Sequence, residues 1–208
     1  MNSEHVVEEI DHRGLTVKIY QDLEPESPRE WDNLGLMVAF HQRYSLGDKD
    51  HGYTVEELIK LIGYRLRTDP IIALPLYLYD HGSVAMSTSR NWPFDCRWDS
   101  MQVGYIFVTK DKVRQEYGVK RISPKLREAV EKRLEGEVKD YSDYLSGDVY
   151  GYVVEDAAGN DLDSCWGYYG FDYCVQEAKS MADWHAEKFK EIAAQIHHAE
   201  IHETRVSC

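Results

Sequence analysis

Five side chains in this sequence are spaced so that they could share one reactive site. His41, Arg43, Asp80, His81 and Asp99 all fall at or just beyond the ends of predicted strands, with Asp32 at a similar position. Loops at strand ends can gather side chains from distant parts of a chain. A carboxylate–imidazole pair there could move protons, and carboxylates with histidine could hold a divalent ion. A turn reading competes with this one. The tripeptide Asp-His-Gly occurs twice, at Asp50–Gly52 and Asp80–Gly82, and Asp and Gly are the residues that tight turns select.

His198 and His202 stand at i and i+4, a spacing that can present two imidazoles to one metal. His197 and Glu203 add donors, but no ligand from a second segment completes the set, and a solvated helix end accounts for these residues as well. His185 lies on the apolar stripe of the same helix, where a buried, hydrogen-bonded imidazole is expected. The His-x-Glu triplets at His185 and His198 lack the downstream Pro-Cys-x-x-Cys that a zinc deaminase needs. The chain also has no phosphate-binding Gly-rich loop with Lys-Ser/Thr, no G-x-S-x-G and no H-E-x-x-H. No cofactor is expected, and no catalytic residue is assigned outside the five-residue cluster.

Charge offers a different chemistry. The formal net charge is −13, and it is unevenly spread. Residues 1–60 carry 13 acids and 6 bases, residues 61–134 carry 8 and 13, and residues 135–208 carry 16 and 5. Between Glu135 and Asp172 ten acids face a single base, Lys139. Glu137, Asp140, Asp143, Asp148, Asp156, Asp161 and Asp163 are interleaved there with Tyr141 and Tyr144. A run of this kind repels nucleic acid and attracts basic surfaces. Carboxylates spaced like duplex phosphates can occupy a DNA-binding groove, with aromatic rings as anchors. An acidic face that only keeps the protein soluble is the alternative. The stretch Lys110–Arg133 has the opposite sign, with nine bases and four acids. It could contact phosphates, or simply pair with the acids that follow it.

These residues need a scaffold, and the hydrophobic periodicity supplies one. Strands are predicted over Leu15–Tyr20, Leu36–His41, Ile71–Tyr79, Val84–Ser87 and Gln102–Thr109. The last has apolar residues on both faces and reads as a covered, central strand. Pro75 lacks an N–H, so it favours an edge or a bulge. Thr54 and Glu57 form a capping box that opens a helix with Val55, Leu58, Ile59, Ile62 and Leu66 inward. Ser123-Pro124 opens a second helix as N-cap and first-turn proline. A hairpin is predicted from Asp148 to Tyr168, and a long helix from Asp172, with Val175, Ala178, Ala182, His185, Phe189, Ile192 and Ile196 on one stripe. The order favours an α+β fold, read as a single domain with a mixed or mainly antiparallel sheet, helices on one face and a long C-terminal helix. The first twelve residues and the last six are expected to fray.

With 208 residues and 43% hydrophobic content the chain can bury a sizeable core. Its start, with Glu4, Glu8 and Glu9, does not read as a secretory signal, and the longest apolar run is too short to span a bilayer. Four cysteines without CxxC spacing fit reduced thiols, so a cytoplasmic location is expected. Two Trp-Asp pairs, at Trp31 and Trp98, hint at a duplicated entry into a strand.

Four segments, WDNLGLMVAFHQRYSLGD, PLYLYDHGSVAMSTS, WDSMQVGYIFVTKDKVRQEYG and GDVYGYVVED, resemble an uncharacterised family of small acidic proteins encoded by bacteriophages and other mobile elements. The resemblance implies a phage-type origin and supplies no mechanism. Together with the charge pattern it leads to the expectation of a non-catalytic factor. Such a factor would dock on a basic surface of a host nucleic-acid-handling or defence protein, in the manner of an antirestriction or anti-CRISPR inhibitor. Direct nucleic-acid binding and membrane association are not expected, and the long C-terminal helix could support a homo-oligomer. Two rival readings stand beside it: a small metal-dependent or acid–base enzyme using the strand-end His and Asp residues, and a phage assembly accessory.

Overall fold

The computed structural model describes residues 6–49, 51–68, 71–80, 82–89 and 100–206. The chain is α+β, with two four-stranded antiparallel sheets and two compact units. One unit is built from Met1–Pro25 and Asp148–Cys208, the other from Glu26–Gly147. The predicted hairpins and helices are present, but the strands divide between two sheets rather than forming one.

In the first unit the strand order is β1-β2-β7-β8. β1 (Val6–His12) and β2 (Leu15–Gln21) form a hairpin across Arg13 and Gly14, whose φ angles of 55° and 81° suit a tight two-residue turn. The segment expected to fray at the N-terminus is therefore largely an edge strand. β7 (Val149–Glu155) pairs with β2 and with β8 (Asp161–Tyr169). Helix α4 (Phe171–Val206) covers one face. Cys174, Ala178, Ala182 and Ala186 repeat every fourth residue and pack on Leu15, Val17, Ile19, Tyr152 and Val154. Small residues on that stripe let the helix lie close to the sheet. Burial pushes the Cys174 thiol up to about 12, so it is an inert core group.

In the second unit the order is β3-β6-β4-β5. β3 (Leu36–Ala39) stops short of the predicted His41. β6 (Ser100–Thr109) lies between β3 and β4 (Ile71–Asp80), and it is covered on both faces as its apolar run requires. At Gly104 a Cβ would stand 1.9 Å from the Val38 carbonyl oxygen, so only glycine allows β3 to come so near. β5 (Val84–Ser87) pairs with β4 only from Tyr77 to Asp80. Pro75 thus sits where β4 has no neighbour on that side among the described residues, and a register shift follows at Leu76–Tyr77.

Helix α3 (Pro124–Ser146) packs Val130, Leu134, Val138 and Tyr141 on one face of this sheet, against Ile72, Leu76, Met86 and Ile106. Ser123 accepts the Leu126 amide as N-cap, and Gly147 closes the helix in the left-handed conformation. Helix α1 (Val55–Thr68) lies on the other face, where Leu58 and Ile62 meet Val38, Ile71 and Phe107. Thr54 and Glu57 exchange the two capping-box bonds, at 3.2 and 2.9 Å. The inward stripe is narrower than predicted: Val55 and Ile59 are exposed. A short helix, α2 (Lys110–Glu116), is capped by Thr109 and precedes α3.

Candidate functional site

The residues expected to form one acidic, tyrosine-rich surface are divided between the two units. Glu137, Asp140, Tyr141, Asp143 and Tyr144 belong to α3 in the second unit, whereas Asp148, Asp156, Asp161 and Asp163 belong to the first.

Several of them are occupied by the fold. The Glu137 side chain is only 11% exposed. Its Oε1 accepts the Leu34 amide at 2.8 Å, and Oε2 accepts the Gly35 amide at 3.1 Å and Arg29 at 3.2 Å. Arg29 is 4% exposed. It also donates twice to Asp48, at 2.8 and 3.0 Å, and once to the Gly35 carbonyl at 2.8 Å. Asp48 in turn accepts the Met37 amide at 2.8 Å. This Arg29–Asp48–Glu137 network ties the loop before β3 to α3. Glu137 is therefore committed to holding the fold. Tyr141 is committed in the same way: its ring is buried, and its hydroxyl oxygen accepts the Gly47 amide at 2.9 Å. Tyr144 stacks beside it. Asp143 is paired with Lys139 at 2.6 Å. Burial, reinforced by the neighbouring Asp143 and Glu137, pushes the Asp140 carboxyl above its usual range, with Lys139 opposing. Asp156 caps the β7–β8 turn by accepting the Asn160 side-chain amide and the Asn160 and Ala158 backbone amides, and these bonds, the Asn160 side chain first, hold its carboxyl below the usual range.

The charge itself concentrates instead of dispersing. The unit of Met1–Pro25 and Asp148–Cys208 carries 18 acids and 6 bases, a net −12. The unit of Glu26–Gly147 carries 19 and 18, a net −1. In the acidic unit Glu8, Asp11, Asp161, Asp172 and Glu191 are exposed and have no ion pair among the described residues. Large aromatic rings share this unit's surface: Tyr173 is 53% exposed, Trp184 52% and Trp166 39%. Tyr173 and Trp184 lie eleven residues apart on α4, three turns, and so share one helix face. Lys188 sits over the Trp184 ring at 4.2 Å.

Other acids of this unit anchor its own parts. Asp183 accepts from His12 at 2.9 Å and Arg13 at 3.0 Å, fastening the β1–β2 turn to α4. Lys18 and Glu155 pair across β2 and β7 at 2.6 Å. His185 is not the buried, hydrogen-bonded imidazole expected: its side chain is 14% exposed, and its Nε2, itself shielded from solvent, makes no hydrogen bond among the described residues, with Asp163 Oδ2 3.6 Å away. Past Ala186 the helix is exposed on all sides through Gln195, leaving Phe189 and Ile192 uncovered.

The five-residue reactive cluster assembles only in part. Arg43 pairs with Asp80, whose other oxygen accepts from the Tyr44 hydroxyl at 3.3 Å. His41 stacks on Tyr44 with ring centres 5.0 Å apart. His81 and Asp99 lie outside the described residues. The same is true of the second Trp-Asp pair and of the His202 side chain, while His198 is exposed on α4. Among the described residues no three His, Cys, Asp or Glu side chains converge as a metal site would require. A ligand-sized groove of about 710 Å³ opens beside His41. His51, not singled out by sequence, also lines it. Its only signal is a second imidazole in the loop that follows β3.

The basic stretch is largely self-paired. Arg114 bonds Asp111, Arg127 bonds Glu131, and Arg133 bonds Glu116. Lys112 reaches the Asn33 carbonyl at 2.8 Å. Lys120, Arg121 and Lys125 remain exposed. No helix among the described residues is long and apolar enough to cross a membrane. No protein-family model, curated protein or solved structure matches this chain.

Proposed function

We propose that this protein is a non-catalytic binding factor that docks on a basic surface of a partner protein, and that the acidic unit is the docking part. One observation carries the reading. Twelve of the thirteen net negative charges fall in one folded unit, which also exposes Tyr173, Trp184 and Trp166. Charge of one sign accelerates encounter with a complementary surface, and exposed aromatic rings supply contact area that charge lacks. The concrete form is a phage-type inhibitor working in the cytoplasm of a bacterial host. It would occupy the DNA groove of a nucleic-acid-handling or defence protein, in the antirestriction or anti-CRISPR manner. The contact residues move accordingly, from Glu137, Tyr141 and Tyr144 to Asp172, Glu177 and Trp184 on α4, with Asp161 on β8.

The test compares two triple variants for capture of a partner from bacterial lysate, with salt elution and duplex DNA as competitor. Asp172→Lys, Glu177→Lys and Glu191→Lys together should abolish capture while circular dichroism stays unchanged. Lys120→Glu, Arg121→Glu and Lys125→Glu together should leave it intact. Direct, salt-sensitive binding of duplex DNA by the wild type, lost in the second variant, would assign function to the basic surface of the other unit and sink the proposal.

A further inference from the structure

The groove beside β3 has a construction that partner docking does not use. It lies wholly within the second unit, at the point where the chain leaves β3 and β6 begins. Its volume of about 710 Å³ falls within the range of small-molecule sites. The floor is apolar, from Ala39, Leu46 and Val103. Flat rings make up much of the rest. His41 and Tyr44 lie nearly parallel, 12° apart, and Phe40 meets His51 edge-on with centres 5.4 Å apart.

Both imidazoles are held in one tautomer. The Arg43 amide donates to His41 Nδ1 at 3.3 Å, and the Tyr53 amide donates to His51 Nδ1 at 3.1 Å. A neutral imidazole that accepts at Nδ1 carries its proton on Nε2. Two N–H donors, neither with a partner among the described residues, therefore belong to side chains that line one groove.

The charges of the lining point the same way. Among the described residues Asp48 is the lining carboxylate, and it is committed to Arg29 and the Met37 amide. The lining cations are Arg43, 68% exposed, and Lys49, 77% exposed. Arg43 pairs with Asp80 and Lys49 with Glu30, and ion pairs made by cations this exposed are weak enough to exchange for a ligand phosphate. Arg43 also lies over the Tyr44 ring, 5.5 Å from its centre, which brings the guanidinium to the stacked pair. The lining thus offers ring faces for stacking, N–H donors for ring nitrogens or carbonyls, and cations for an anionic tail.

We infer that this groove binds a nucleotide, its base against the His41–Tyr44 pair and His51, and its phosphate at Arg43 and Lys49. The inference is independent of partner docking, which uses the other unit.

Equilibrium dialysis and thermal shift of the full chain with ADP, GDP, CDP and UDP test it, with the corresponding nucleosides and pyrophosphate as controls. At least one diphosphate should bind saturably, and more tightly than both its nucleoside and pyrophosphate. Arg43→Ala should weaken the diphosphate by about tenfold and leave the nucleoside unchanged. His41→Phe keeps a flat ring on Tyr44 but removes the Nε2 donor, and it should weaken both. Absence of saturable binding for all four diphosphates would overturn the inference. So would pyrophosphate binding as tightly as the best nucleotide, or affinities that neither substitution moves in a variant whose melting temperature matches the wild type.

Discussion

Single carboxylates in this chain differ more in their surroundings than in their sequence neighbourhoods. Glu137 and Asp161 are both acids in the same charged stretch. Yet Glu137 holds Arg29 and two backbone amides in a nearly closed site, whereas Asp161 is exposed without an ion pair among the described residues. Removing one partner of a buried ion pair strands the other charge, so Glu137→Ala should cost about 3–5 kcal/mol. Asp161→Ala should stay within about 0.5 kcal/mol of wild type. Urea unfolding of the two variants checks this, and equal midpoints would show that the Arg29 network is not a structural device. The role of Glu137 was not legible beforehand, because its partners Leu34 and Gly35 are about a hundred residues away in the chain. Nothing local distinguishes it from Glu135. The same limit applies to Tyr141, whose partner amide belongs to Gly47.

At the scale of elements, what was legible is what local interactions decide. The capping box at Thr54 and Glu57 and the Ser123-Pro124 helix start are contacts over three residues, and both occur as read. β1 was missed because its inward side offers little beyond Ile10, while Glu8, Glu9 and Asp11 are exposed. Such charge on an edge strand guards against strand addition and hides the strand from a hydrophobic pattern. The β1–β2 turn is fastened to α4 through Asp183, whose carboxyl is held below its usual range first by His12 and then by Arg13. Lys190 first, then Arg13, lowers the Glu187 carboxyl likewise. A carboxyl lowered by folding stabilises the protein above its unfolded pKa, and that contribution disappears as pH falls through the folded value. Asp183→Asn should therefore lower the unfolding midpoint at about pH 7, with the difference from wild type shrinking as pH falls below the ordinary carboxylate range. A gap that persists unchanged in acid would mean that the contact acts through shape and not charge.

For the whole molecule, the division of charge says more than its total. A net −12 on one unit and −1 on the other means that self-repulsion acts on the two parts very unequally. The acidic unit also encloses the other in sequence, since the chain leaves it after β2 and returns before β7. That interruption explains why the asymmetry was only half visible along the chain. Residues 1–25 and 148–208 contribute to one field but are separated by more than a hundred residues. The segment Glu135–Asp172, continuous in sequence, is divided between the units at Gly147. Like-charge repulsion weakens a compact state, and salt screens it over about 10 Å at 0.1 M. Raising NaCl from about 0.01 to about 0.5 M should therefore slow amide hydrogen exchange in peptides from β1, β2, β7, β8 and α4. Peptides from β4, β6 and α3 should change little. The surface pairs of Arg13 oppose this trend, but exposed pairs are worth little each, and exposed acids of the unit such as Glu8, Asp161 and Asp172 have no ion pair among the described residues. Mass spectrometry resolves the two sets of peptides in one experiment. An equal response in both would mean that the excess charge is neutralised within the acidic unit. Its field would then be too weak to steer a basic partner, and the docking proposal would lose its physical basis.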